Sequence, residues 1–127
     1  MARVLVVDDD ERIRRLVSDL LTANAHKVVQ AQDGVDAVAK AKAELPDVIL
    51  MDVFMPKMDG YAALQAIKNE ESTKTIPVVM VTAIGHDLNR KLAEGLGSCG
   101  YITKPFSAKE VLDAVARLVQ VHSGSES

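Results

Sequence analysis

The chain has 127 residues, which suits a single domain with its own core, and 48% of them are hydrophobic while 26% are charged. That balance excludes an intrinsically disordered chain, and a net charge of −3 argues against nucleic acid or an anionic membrane as a direct partner. Cys99 has no second cysteine for an internal disulfide, strand-like sequence begins at Arg3, and no apolar run could span a bilayer. We therefore expect a cytoplasmic protein.

The first half of the chain predicts two strand–helix pairs. RVLVV (3–7) is a short β-branched run typical of a buried strand. Apolar residues then follow at the three-and-four spacing of one helix face, and they are Ile13, Leu16, Val17, Leu20 and Leu21. KVVQA (27–31) is less apolar and predicts an edge strand, and the Ala-rich segment 34–45 predicts a helix that Pro46 closes.

The second half predicts three more pairs in the same order. Its strands are DVILMD (47–52), IPVVMV (76–81) and YIT (101–103). Its helices are predicted at 59–71, around Leu88, Leu92 and Leu96, and after SAKE (107–110). SAKE is a capping box, in which Ser107 caps the helix and Glu110 reaches back. A polar tail, 122–127, follows a domain that we expect to span residues 1–121.

Strict alternation of strands and helices predicts an α/β fold, in which a parallel sheet is covered by helices on both faces. Right-handed crossovers leave few possible arrangements of the strands. A doubly wound, flavodoxin-like sheet of five strands commonly takes the order 2-1-3-4-5, and its ligand site lies at the carboxyl ends of strands 1 and 3. We therefore expect five helices on two faces and a site at that edge of the sheet.

Three carboxylates are predicted to meet at this edge. Asp8 and Asp9 leave the first strand, and Asp52 ends the third. Like charges so close together raise one another's pKa unless a cation lies between them, and an all-oxygen set with room for water suits Mg²⁺. Asp8 or Asp9 alone could equally cap the first helix, as Asp10 is expected to do. Asp52 has no helix start beside it, and Asp59 is expected to be a turn or cap residue.

Polar side chains also follow the last two strands. Thr82 comes after VVMV, and Lys104 comes after YIT. A threonine at a strand end usually has no function and a single lysine is usually solvated, but here four of the five strands, all except the second, end in a chemically useful group. A carboxylate nucleophile, a divalent cation and donors for the remaining oxygens are what a phosphoryl group requires.

Four segments together resemble the receiver domain of two-component response regulators. They are VVDDD (6–10), DVILMDVFMPKMDG (47–60), VTA (81–83) and YITKPF (101–106). The resemblance covers residues 2–121 and implies a phosphorylation-controlled signalling switch, not a dedicated enzyme. It implies that Asp52 is the phospho-acceptor. It also implies that Mg²⁺ is held by Asp8, Asp9, Asp52 and the backbone carbonyl of Phe54.

The same resemblance implies roles for other residues of this edge. Lys104 would pair with the phosphoryl group, Thr82 would bond one of its oxygens, and Tyr101 would move from exposed to buried with Thr82. The Lys104–Pro105 bond would be cis, which is cheap only before proline. The donor would be a phosphohistidine on a sensor histidine kinase or a phosphotransfer protein. The face of the fourth helix, fifth strand and fifth helix would then bind a downstream protein, or act on an output domain outside this sequence.

Phe54 and Ile84, two residues after Asp52 and Thr82, are apolar at positions that flank the path of the hydrolysing water in similar proteins. We hypothesise that both exclude water and lengthen the phosphoryl lifetime.

Three alternative functions fit the sequence less well. An aspartyl-phosphate phosphatase of the haloacid-dehalogenase type would carry D-x-D-G after the first strand, whereas DDDE lacks the glycine. A flavin-binding domain would need a Ser-, Thr- and Gly-rich loop there, and this loop is acidic. A non-phosphorylated docking module would not need the intact set of acids, hydroxyl and ammonium groups.

Overall fold

A computed structural model describes residues 2–83 and 87–124, with residues 87–89 and 120–124 described by their backbone alone. Strands and helices alternate along the whole of it. The strands are β1 (Arg3–Val7), β2 (Lys27–Ala31), β3 (Val48–Asp52), β4 (Val78–Thr82) and β5 (Gly100–Thr103). The helices are α1 (Glu11–Ala23), α2 (Gly34–Glu44), α3 (Gly60–Asn69), α4 (Asp87–Gly95) and α5 (Ala108–Gly124).

The five strands form one sheet in the order β2-β1-β3-β4-β5, and every pairing is parallel. This confirms the predicted doubly wound topology. β2 lies at an edge, as its lower apolar content predicted. Every residue of β3 and β4 is buried, because both faces of these inner strands are covered by helices.

The core has two halves, one on each face of the sheet. Leu5 and Val7 of β1 pack in a cluster with residues of α2, α3 and α4, whereas Val4 and Val6 pack with residues of α1 and α5. Successive side chains of a strand point to opposite faces, so one apolar run serves both halves.

Side-chain caps fix where the helices begin. Asp10, Asp33 and Asp59 each accept a hydrogen bond from a backbone N–H in the first turn of α1, α2 and α3 respectively. At α5, the Glu110 backbone N–H donates to Ser107 Oγ at 3.1 Å, and the Ser107 backbone N–H donates to Glu110 Oε1 at 3.1 Å. The predicted caps at Asp10 and Asp59 and the predicted capping box are therefore confirmed.

Some element ends differ from those predicted. α3 ends at Asn69 and not at residue 71, because the main chain of Glu70 is extended. Thr82 is the last residue of β4 and pairs with Thr103, so it belongs to the sheet and does not follow it. α5 continues to Gly124, into the segment predicted as a polar tail, and once a helix has formed each added residue gains a hydrogen bond. Residues 125–127 lie outside the described part.

Candidate functional site

Three acidic side chains meet where β1 and β3 end. β1 and β3 are neighbours in parallel register, with Val7 beside Met51, so the residues that follow come out at the same edge of the sheet. Asp8, Asp9 and Asp52 each offer one carboxylate oxygen, and these three oxygens lie within 4.8 Å of one another. The structure thus brings together residues that are more than 40 positions apart in the sequence.

Asp8 is buried, and both its side chain and its main chain form hydrogen bonds. Its Oδ1 accepts a hydrogen bond from the Asp10 backbone N–H at 2.9 Å, and its Oδ2 accepts one from Lys104 Nζ at 3.0 Å. Its own backbone N–H donates to the carbonyl of Ala31 in β2 at 3.2 Å, and its carbonyl accepts from Arg14 at 2.8 Å. Asp9, by contrast, is exposed to solvent.

Asp52 is 6% exposed, and Lys104 Nζ lies 3.6 Å from its Oδ1. Burial, followed by the negative charge of Asp8, raises the pKa of Asp52 to about 6, although Lys104 acts in the opposite direction. Burial would lower the pKa of Lys104, but its hydrogen bond to Asp8 and the charge of Asp52 outweigh burial, so that pKa is raised. The single positive charge of Lys104 therefore only partly offsets the negative charge of the three carboxylates, and the site retains a net negative charge.

The other residues that the sequence singled out lie around the same edge or near it. Thr82 is completely buried at the end of β4, and its carbonyl accepts a hydrogen bond from the Lys104 backbone N–H at 2.6 Å. The Lys104–Pro105 peptide bond is cis. Phe54 lies in the loop between β3 and α3, with 54% of the residue exposed. Ile84 lies outside the described residues.

Tyr101 of β5 has one cationic neighbour, Arg90, and one aromatic neighbour, Tyr61. The Arg90 guanidinium carbon lies 5.5 Å from the centre of the Tyr101 ring, a distance at which a cation attracts an aromatic face. Burial, together with a hydrogen bond to Tyr101, raises the pKa of Tyr61 to about 12. No local sequence pattern marks Tyr61 as a functional residue, because only the packing of the folded chain makes the two tyrosines neighbours.

The donor set fits Mg²⁺. Three carboxylates supply hard oxygen ligands, and Mg²⁺ is bound in proteins by a small number of carboxylates together with water. The oxygens are almost as close as two ligands of one Mg²⁺ ion, which lie up to about 4 Å apart. The Asp8 and Asp9 side chains, with Asp52, are the residues that would hold the ion.

Comparison with known proteins decides the family. The family model described as the response regulator receiver domain matches residues 4–116. The chain belongs to the response regulator receiver domain family. As a receiver domain, it is a phosphorylation-controlled switch of two-component signalling.

Individual relatives agree with this assignment. Protein PilG of Pseudomonas aeruginosa is 38% identical over 113 residues, which are 89% of this chain and 84% of PilG. The structure of the chemotaxis response regulator CheY4 of Vibrio cholerae matches with a TM-score of 0.88 and 35% identity, over 93% of this chain and 98% of CheY4.

Longer proteins also match this receiver domain. The DNA-binding dual master transcriptional regulator RpaA of Synechocystis sp. is 38% identical over 120 residues, which are 94% of this chain and 50% of RpaA. The chain spans about half the length of the first curated relatives that it matches. Among the residues described, no helix has the length and apolarity that crossing a bilayer requires.

Proposed function

We propose that Asp52 accepts a phosphoryl group from a phosphohistidine on a sensor histidine kinase or phosphotransfer protein. The observation that carries this proposal is the position of Asp52: it is a buried carboxylate, next to the Lys104 ammonium, in a cluster with Asp8 and Asp9. The proposed Mg²⁺ ligands are Asp8, Asp9, Asp52 and the backbone carbonyl of Phe54. A localisation in the cytoplasm, where such kinases present their phosphohistidine, is part of the proposal.

The transfer itself is a displacement at phosphorus. A carboxylate oxygen of Asp52 attacks the phosphorus atom in line, the phosphorus–nitrogen bond of the phosphohistidine breaks, and the bonding electron pair leaves with the imidazole nitrogen. Asp52 reacts as its anion, and with a pKa of about 6 it is mostly ionised at neutral pH. Lys104 donates to the transferred oxygens and offsets their charge. Mg²⁺, when bound, neutralises further negative charge on the phosphoryl group.

The signal would leave through the residues that surround the acyl phosphate. The Thr82 hydroxyl would bond a phosphoryl oxygen, and Tyr101 would follow it into the interior. This rearrangement would favour one of two conformations of the face made by α4, β5 and α5. A downstream protein, or an output domain such as the longer relatives carry, would recognise that conformation.

Intact mass spectrometry tests the phospho-acceptor directly. The chain is incubated with Mg²⁺ and acetyl phosphate, beside Asp52→Asn and a sample that contains EDTA. We expect one added phosphoryl group on the wild type and none in either control. A wild type that stays unmodified would favour the docking-module alternative, and a phosphorylated Asp52→Asn would place the acceptor elsewhere.

A second experiment tests the water-exclusion hypothesis for Phe54 and Ile84. The exposed ring of Phe54 is only two residues from the acceptor. Phe54→Asn and Ile84→Glu are each phosphorylated, the donor is removed, and the loss of the phosphoryl group is timed. We expect faster loss than in the wild type, because polar side chains would admit and orient water. Unchanged decay in both variants would reject the hypothesis.

A further inference from the structure

Arg14 connects three elements just behind the acidic cluster. It lies on α1, and two different nitrogens of its guanidinium donate hydrogen bonds. Nη1 donates to the backbone carbonyl of Asp8 at 2.8 Å, and Nε donates to Oε1 of Gln30 on β2 at 3.0 Å. Arg14 is half-buried and does not belong to the cluster itself, and neither it nor Gln30 was singled out in the sequence.

These contacts complete the fixation of the Asp8 main chain. β2 holds the Asp8 backbone N–H through the Ala31 carbonyl, and Arg14 holds the Asp8 carbonyl. With both peptide groups fixed, the direction of the Asp8 side chain is set. Its two carboxylate oxygens then reach the Asp10 backbone N–H and the Lys104 ammonium.

We propose that Arg14, oriented by Gln30, is a positioning residue that holds the main chain of Asp8 so that the Asp8 carboxylate faces a bound Mg²⁺ ion. The inference rests on the proposed metal site and adds to it two residues that would not touch the ion. Groups that orient a metal ligand commonly change metal affinity when they are removed.

Positioning and simple charge predict opposite results for Arg14. Arg14 is a cation near a site for a cation, so removing its charge would by electrostatics alone strengthen Mg²⁺ binding. Removing its hold on Asp8 would weaken binding, because the carboxylate would have to be ordered when the ion arrives. The sign of the change in Mg²⁺ affinity therefore separates the two roles.

The experiment measures Mg²⁺ binding to the full chain by isothermal titration calorimetry. We expect Arg14→Ala to bind Mg²⁺ about 10-fold more weakly than the wild type. Gln30→Ala changes no charge and should weaken binding in the same direction, by less. Arg14→Lys keeps the charge, but a single ammonium cannot replace the fork that reaches both partners, so it should not restore the wild-type affinity.

Two variants on the same helix serve as controls. Arg15→Ala removes an exposed cation from the next position and should leave the affinity unchanged or slightly higher. Leu21→Ala removes a fully buried side chain of α1 about two turns beyond Arg14, so it destabilises the core without removing a contact of Arg14 or Asp8. It should lower the urea midpoint and leave the Mg²⁺ affinity unchanged, which separates positioning from general destabilisation.

Each result has a definite meaning. Unchanged or tighter binding in both Arg14→Ala and Gln30→Ala would overturn the inference while leaving the proposed Mg²⁺ site intact. Failure of the wild type itself to bind Mg²⁺ would overturn the proposed site and the inference with it. Circular dichroism shows whether each variant is folded. If Arg14→Ala is unfolded, Gln30→Ala still decides the direction of the change in Mg²⁺ affinity, because Gln30 is exposed and its replacement changes no charge.

Discussion

Replacing Asp52 with asparagine is expected to stabilise the metal-free protein, and to do so more at alkaline than at acidic pH. Burial first, and the charge of Asp8 second, raise the pKa of Asp52 from an ordinary 3.8 to about 6. The folded protein therefore resists ionisation of this side chain. Asparagine has nearly the same shape and carries no charge, so the Asp52→Asn variant avoids the cost of burying one.

The magnitude follows from the change in pKa. The rise from 3.8 to about 6 is roughly 2 pH units, which corresponds to about 3 kcal/mol. Within that window the folded state binds more protons at Asp52 than the unfolded chain does. The free energy of unfolding of the wild type therefore falls as the pH rises through the window, and this loss persists above it. The stability advantage of Asp52→Asn should accordingly grow by about 3 kcal/mol between acidic and alkaline pH.

Urea unfolding followed by circular dichroism measures this difference. Wild type and Asp52→Asn are unfolded with EDTA present, near pH 4 and near pH 8, and the change in their stability difference is compared. Titrating groups that do not interact with Asp52 are shared by the two proteins and cancel. Asp19→Asn, which removes an exposed carboxylate from α1, is the control and should show no such growth. A stability difference between wild type and Asp52→Asn that is independent of pH would refute the reasoning.

Four further outcomes are expected. Gly60→Ala should lower the free energy of unfolding by about 1–3 kcal/mol, because the added Cβ would clash with the Asp52 carbonyl oxygen. Gly95 of α4 has open space around it, so Gly95→Ala should raise the free energy of unfolding by up to about 1 kcal/mol. Urea unfolding compares the two glycine variants, and equal changes in stability would contradict this reasoning. Ser107→Ala should lower the free energy of unfolding by about 1 kcal/mol, because α5 loses its side-chain cap. Thermal melting measures this loss, and an unchanged melting temperature would count against the capping box. Mg²⁺ at ten times its Kd should stabilise the wild type by about 1.4 kcal/mol and Asp8→Asn by less, and equal stabilisation would mean that the ion binds elsewhere.

The alternation of strands and helices, the topology and the caps at Asp10, Asp59 and Ser107 could be predicted from the sequence, whereas the cap at Asp33 was not predicted. β1 and β2 have the predicted bounds, because short apolar runs report strand formation locally. The meeting of Asp8, Asp9 and Asp52 could be predicted as well. Once the sheet is parallel and ordered 2-1-3-4-5, the carboxyl ends of its first and third strands lie side by side.

Only the tertiary structure decided how those groups interact. The Lys104 ammonium bonds Asp8, 96 positions away, and burial beside Asp8 raises the pKa of Asp52. The support that Arg14 gives to the Asp8 main chain also depends on α1, β1 and β2 being packed together. A local residue pattern indicates only which structure one segment prefers by itself. Side-chain distances such as the 3.0 Å between Lys104 and Asp8, and the energies that follow from them, depend on several segments packed together.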